Sequence, residues 1–356
     1  MPASFPRPAF SCGLPHKHDG IRAPLHLIPV VRLASAAHRL CCCFIVFIGQ
    51  ITSLFSKEAD KEPDTRVGGQ AVIEGVMMRG RRFWSLAVRK PDGTIYSQVE
   101  PLRSFLVRHP SWDKPFLRGI FILGESLALG WKALSLSADI ALEEELQKSG
   151  RKGIGGIEKA LSLIIAMLFA VGLFIALPTW LAPHIVGRSS PVWAWNLLEG
   201  GIRIAIFIAY LALVGLSKEM RRVFEYHGAE HQCIHAWEKG EPLEPESALK
   251  QGTDHIRCGT AFVLLVLVLT VLVYSFLGRP PLWLRIVERV AIIPLIAGVS
   301  YEIMRLADRR RSRLLKAIVV PGLALQKLTT RKPDKEQAEV ALTALRSLLV
   351  EEGLAE

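Results

Sequence analysis

Four strongly apolar stretches, each about 18 to 23 residues long, limit this chain more than anything else in it. They run from about Ala160 to Ala182, Leu198 to Ser217, Thr260 to Leu277 and Arg285 to Met304. As helices each is roughly 30 Å long, the thickness of a bilayer's hydrocarbon layer. Half of the 356 residues are hydrophobic, which excludes a disordered chain. The expected fold class is therefore mainly α, a polytopic helical membrane protein with about four transmembrane helices. Glu199 and Arg203 stand at an i,i+4 spacing in the second stretch and can pair with each other. The fourth stretch is the least regular, because Arg285, Glu288 and Arg289 crowd its start.

Around these stretches the chain divides by composition. Residues 1–66 are rich in Pro, Arg and His and have no sustained periodicity. Their one apolar run, Cys41 to Phe55, is too short to cross a bilayer and is followed by no A-x-A-like cleavage site. We expect a poorly ordered extension, or translation assigned too far upstream. Residues 67–115 read as a small β-containing module. Ser85 to Lys90 and Thr94 to Val99 alternate around Pro91-Asp92-Gly93, a hairpin signal. Residues 116–142 form an apolar helix whose charges, Arg118, Glu125, Lys132 and Asp139, recur every seventh position. A seven-residue repeat keeps them on one stripe, which suits an interfacial helix or one packed on the spans better than a lipid-crossing one. Residues 158–306 hold the four-helix membrane domain, with a His-rich connection at 217–259. Residues 307–356 give a basic segment and then a helix, where Asp334 and Gln337 fit a capping box and Ala338, Ala341, Leu342, Leu345 and Leu349 form an apolar face.

A net charge of +11 invites a nucleic-acid partner, but its location argues otherwise. Lys148, Arg151 and Lys152 precede the first stretch, and Lys218, Arg221 and Arg222 follow the second. Arg305, Arg309, Arg310, Arg311, Arg313 and Lys316 follow the fourth, whereas the other two connections carry only Arg188 and Arg279. The positive-inside rule then puts both termini, the β element and the 217–259 connection in the cytoplasm. Much of the basic excess is topological, and it faces lipid headgroups rather than nucleic acid, for which no reading motif is present.

The 217–259 connection carries Glu225-Tyr-His227-Gly-Ala-Glu230-His231-Gln-Cys233-Ile-His235-Ala-Trp-Glu238. On a helix His227 and His231 lie one turn apart on one side, with Glu230 beside them and His235 continuing the stripe. Two imidazoles so placed can hold a divalent cation, zinc first and manganese or iron as alternatives. A neighbouring carboxylate can take a proton from water. His255 and Cys258, just before the third stretch, are further candidate ligands. The alternative for the same residues is a polar helix whose histidines bond one another, Glu or lipid phosphate. Cys233 lies off the His stripe.

The spacing H-x-x-E-H resembles the inverted zinc motif of inverzincin peptidases. That resemblance implies His227 and His231 as ligands, Glu230 as general base, and a later glutamate as third ligand, for which Glu302 is the candidate. A wider resemblance covers about residues 67 to 350. Gly68-Gly-Gln-Ala-Val-Ile-Glu-Gly-Val-Met-Met-Arg-Gly80, the run from Glu225 to His231 with His235, Arg257-Cys-Gly-Thr260, Ser300-Tyr-Glu302 and Gln326-Lys-Leu-Thr-Thr-Arg331 are similar to the hallmarks of the YqhQ-like family. That is a bacterial membrane-protein family of unknown function, whose members are described as predicted metal-dependent enzymes. Ile256 replaces a proline that the family often carries between His255 and Arg257. In the first motif Gln70, Glu74 and Arg79 either support a metal or substrate, or belong to a tight glycine turn leading into a strand, with Met77 and Met78 in a core. Thr329, Thr330 and Arg331 read as a loop before the last helix.

The expected function is a metal-dependent hydrolase at the cytoplasmic face of a bacterial inner membrane, acting on a peptide or lipid-linked substrate. The alternative is a non-catalytic membrane scaffold with a structural metal or none. The sequence does not fix an oligomeric state.

Overall fold

The hairpin predicted around Pro91-Asp92-Gly93 is half of a four-stranded antiparallel meander in the computed structural model, which describes residues 67–354 apart from 149, 151–152, 187–189, 279 and 310–312. The extension 1–66 lies outside the described residues, as do Arg151, Lys152, Arg188, Arg279, Arg310 and Arg311. Strands β1 (Gly68–Val72), β2 (Gly75–Arg79), β3 (Phe83–Arg89) and β4 (Ile95–Pro101) pair in sequence order. At the β3–β4 turn Asp92 Oδ1 accepts from the Thr94 amide at 2.9 Å, and Gly93 supplies a φ of 84°. The glycine-rich first motif is a second hairpin, β1–β2, with Val72 opposite Gly75 across a two-residue turn. Glu74 sits in that turn at φ 51°, held by Arg222 through two hydrogen bonds. Strands β2 and β3 are buried on both faces, so the adjacent Met77 and Met78 fill two separate cores.

After the sheet the chain is helical. A short turn, α1 (Phe105–Arg108), precedes α2 (Leu117–Ala141), α3 (Glu143–Lys148) and α4 (Gly156–Val171). A π-helical turn at Gly172–Ala176 joins α4 to α5 (Leu177–Val186), followed by α6 (Val192–Val214), α7 (Lys218–Glu238) and the single turn α8 (Pro245–Ala248). The chain closes with α9 (Gly259–Tyr274), α10 (Leu282–Arg309), α11 (Arg313–Thr329) and α12 (Lys335–Glu352). Helices α7 and α12 cover one face of the sheet with Tyr226, Ala229, Ile234, Leu342, Leu345 and Leu349. The C-terminal half of α2 covers the other with Leu129, Ala133 and Ile140.

The heptad stripe of α2 is neither lipid-facing nor free. Arg118 binds Glu302 of α10 at 2.6 Å, and Glu125 receives Arg79 of β2 at 3.0 Å. Lys132 reaches Glu100 of β4 at 2.5 Å, and Asp139 receives Lys159 of α4 at 2.6 Å. One stripe therefore ties α2 to the sheet and to two other helices.

Among the described residues three helices are long and apolar enough to cross a membrane, by length and composition: Leu117–Ala141, Gly156–Val186 and Val192–Val214. The last two match the first two predicted spans, the second of which was expected to run on to Ser217 but ends at Val214. The count of four is corrected to three. Helix α9 has 16 residues, short of a bilayer crossing, and α10, whose first turns carry Arg285, Glu288 and Arg289, is not among the three. Helix α2, expected at an interface, does qualify by composition, since its charges are few and evenly spread. Along α4 the apolar side chains Leu161, Ile164, Ile165, Leu168 and Phe169 are all exposed, the pattern of a helix whose solvent is lipid.

The predicted capping box starts α12: Asp334 accepts from the Gln337 amide at 2.7 Å, and Gln337 Oε1 accepts from the Asp334 amide at 3.0 Å. Asp334→Ala is expected to lower the unfolding free energy by about 1 kcal/mol, with Asp334→Asn close to wild type, as read by thermal melts in detergent.

Candidate metal centre

Helix α7 begins at Ser217, whose hydroxyl caps the Met220 amide at 3.2 Å. Helical spacing then sets His227, His231 and His235 on one stripe, the first two with ring centroids 4.5 Å apart. Small residues let this helix sink into the fold. A Cβ on Gly228 would lie 1.9 Å from the Arg331 carbonyl oxygen, so the loop between α11 and α12 rests directly on the helix backbone. The Arg331 amide donates to Phe224 O at 2.9 Å and seals that contact.

Each imidazole of the stripe is oriented by a backbone carbonyl. His227 Nδ1 lies 2.8 Å from Thr329 O, His231 Nδ1 2.6 Å from Thr253 O, and His235 Nε2 2.7 Å from Asp254 O. A carbonyl only accepts, so each of these nitrogens carries the proton. The opposite nitrogen of each ring then presents a lone pair, the arrangement that metal-binding histidines use. His227 Nε2 faces Cys258 Sγ at 3.2 Å. Cys258 caps α9, and its sulfur accepts from the Thr260 amide at 3.4 Å. One ligand atom each from His227, His231 and Cys258 falls within 4.8 Å of the others, which fits a single divalent cation.

Glu230 lies on the neighbouring side, against β1. A Cβ on Gly69 would sit 2.7 Å from Glu230 Cγ, so the missing side chain of Gly69 is what makes room for the carboxylate. Burial pushes the Glu230 pKa up to about 7, with the His227 imidazole and the Gly69 amide working the other way. Gly69, His227, Glu230, His231, Arg257 and Cys258 share the wall of one small, partly open cleft.

A second trio, His235, Glu238 and His255, adjoins the first. It is built differently. His255 Nδ1 accepts from the Arg257 amide at 3.3 Å, which leaves the proton on Nε2, 3.6 Å from Glu238. Burial lowers the His255 pKa despite that carboxylate. Burial alone would raise Glu238, but hydrogen bonds from His255 and Arg257 overcome it and hold the carboxyl down at about 2. Arg257 also reaches Asp308 at 3.5 Å. Gln326 clamps the backbone of His255, accepting from its amide and donating to its carbonyl, both at 2.8 Å. This trio positions the loop that carries Cys258.

The other sequence candidates are not brought to the cleft. Glu302 is gripped by Arg118 through two hydrogen bonds of 2.6 Å and belongs to neither trio. Glu74 bonds Arg222, and Arg79 bonds Glu125 and Ser126 on α2. Gln70 lies over Gly130 of α2, where a Cβ would meet its Oε1 at 2.4 Å. Of the first motif, Gly68 and Gly69 reach the cleft. Sequence reasoning missed Thr329, Thr253 and Gln326 as the groups that orient the histidines. The one signal was the Gln326–Arg331 run, which contains two of the supporting groups, although Thr329, Thr330 and Arg331 read only as a loop.

The model of a family described as a protein of unknown function (DUF1385) matches residues 114–351. The Uncharacterized protein YqhQ of Bacillus subtilis (strain 168) is 34% identical over 303 residues, covering 81% of this chain and 94% of that protein. No solved structure matches.

Proposed function

We propose, from the premise that the chain belongs to the DUF1385 family of proteins of unknown function, that it is a metal-dependent hydrolase of the bacterial inner membrane. His227, His231 and Cys258 hold the cation. A thiolate beside two imidazoles favours zinc over the harder manganese. The observation that carries this reading is the convergence of three ligand atoms with both imidazoles already turned by backbone carbonyls. Cys258 takes the place for which Glu302 was the sequence candidate.

A bound divalent cation supplies Lewis acidity toward a carbonyl oxygen in the cleft. Glu230 does the proton work. Its carboxylate takes a proton from the attacking water and delivers it to the departing nitrogen or oxygen as the carbon–heteroatom bond breaks. Burial and the seat against Gly69 keep it dry and fixed for that exchange. His227, His231 and Cys258 would supply three ligands, one fewer than the four protein ligands of a closed structural site. The cleft lies at the N-terminal end of the apolar helix α9, so a peptide or lipid-linked amide or ester at the cytoplasmic surface is the substrate class. Both termini are cytoplasmic in this reading.

Elemental analysis of the detergent-purified protein tests it. Wild type is expected to carry one zinc per chain, and His231→Ala and Cys258→Ser to lose it. Glu230→Gln is expected to keep the metal and lose about 100-fold or more of the turnover of a fluorogenic peptide or lipid-ester panel. Metal retained in Glu230→Gln with unaltered turnover would refute Glu230 as the base, and metal without any turnover in the wild type would leave the scaffold reading. No metal in the wild-type protein would end both the hydrolase and the structural-metal readings.

A further inference from the structure

We infer that the helical bundle holds, at the end of α9 remote from the histidines, a binding site for a singly charged anion centred on Arg289. The site is independent of the metal reading. Helix α9 has 16 residues and is about 24 Å long, with Cys258 capping one end and Tyr274 closing the other. Around Tyr274 gather Thr179 of α5, Asn196, Glu199 and Arg203 of α6, and Arg289 of α10.

The sequence explains part of the cluster. Pro178 has no amide hydrogen, so the carbonyl four residues earlier, Phe174 O, lacks its helical donor. Arg203 Nε donates to that oxygen at 2.7 Å. Glu199 accepts from Thr179 at 2.9 Å, from Arg203 at 2.7 Å, and from Arg289 Nε and Nη2 at 2.6 Å each. Asn196 Oδ1 accepts from Arg289 Nη2 at 3.0 Å. The Tyr274 ring packs against both guanidinium groups, its centroid 5.3 and 4.9 Å from their central carbons.

The charges do not balance. One carboxylate meets two guanidinium groups, and all three residues are buried. Arg289 is fully buried, and its Nη1 has no hydrogen-bond partner among the described residues. A cluster serving only to pack four helices would be expected to match its charges, because an unmatched buried cation is costly. An excess positive charge with an unused guanidinium donor is what an anion requires. A phosphate oxygen of a lipid headgroup and a small free anion share that chemistry.

The test is the thermal midpoint of the full-length protein in neutral detergent at constant ionic strength. Sodium gluconate is the reference. Sodium chloride and sodium phosphate form one arm, and micelles doped with phosphatidylglycerol against phosphatidylcholine form the other. A rise of about 3 °C or more, saturating with concentration, is expected in one arm, and the arm that responds names the source. Arg289→Gln is expected to abolish the rise. Glu199→Gln removes the competing carboxylate charge and is expected to lower the half-saturating concentration several-fold, which a merely structural cluster does not do. If Arg289→Gln does not fold, wild type and Glu199→Gln decide. Midpoints equal within about 1 °C in every arm, a rise that survives Arg289→Gln, or an unmoved half-saturation in Glu199→Gln overturns the site.

Discussion

Replacing Glu199 by alanine is expected to cost about 3–5 kcal/mol of stability and about 10 °C of thermal midpoint, the largest loss among single substitutions in the helical bundle. The carboxylate is buried and accepts four hydrogen bonds, three of them from Arg203 and Arg289. Alanine leaves two guanidinium groups beside the Tyr274 ring with no carboxylate between them. Thr179→Val removes one neutral donor from the same carboxylate and is expected to cost only about 1 kcal/mol. The ratio of the two losses is the measurement. Equal small losses would mean that lipid or water takes over the role of Glu199 and that the arginines are not isolated.

The second large effect is expected from one methyl group. In Gly228→Ala the new carbon would lie 1.9 Å from the Arg331 carbonyl oxygen, about half a normal contact. Neither partner is a flexible side-chain end, so the loop must move. The cost is about 1–3 kcal/mol. The functional effect is larger, because the Thr329 carbonyl that orients His227 lies two residues before Arg331 in the same segment. Metal affinity is expected to fall about 10- to 100-fold, the loss typical when the group supporting a ligand is displaced. Competition with a chelator measures it. A Gly228→Ala protein that melts lower but holds zinc as tightly as wild type would show that Thr329 does not set the His227 ring.

What the sequence conveyed was whatever depends on spacing along one element. The Asp334–Gln337 box, the Pro91-Asp92-Gly93 turn, the Glu199–Arg203 pair and the His227–His231 stripe are all local, and each is present. The heptad of charges on α2 was visible too, but its four partners lie on four other elements, so its role was not. The same holds for Glu302. Its position in the sequence made it available to the histidines, whereas Arg118, 184 residues away, takes it instead.

The glycine motif was opaque for a different reason. Gly68, Gly69 and Gly75 all permit positive φ, yet none of the three uses that freedom. Gly69 accommodates Glu230, and Gly75 accommodates the Ala87 carbonyl, which a Cβ would approach to 2.2 Å. A missing side chain records that something is near without naming it. The span count differs where apolar character and length pull apart, because α9 is apolar throughout but has 16 residues. Arg289 sits in a helix of adequate length, but it pairs with a residue 90 positions earlier, which hydropathy along the chain does not register.

Helix α2 has a consequence for how the molecule can be taken apart. Its C-terminal half is the floor of the sheet, its first turn is bolted to α10 through Arg118 and Glu302, and Asp139 reaches back to α4. The β meander is therefore no detachable water-soluble head. Cutting it away strips α2 of its apolar cover, and keeping it alone strands Arg118. Proteolysis of the folded protein should release neither half intact, and the histidine cleft should be recoverable only together with the greasy helices beneath it.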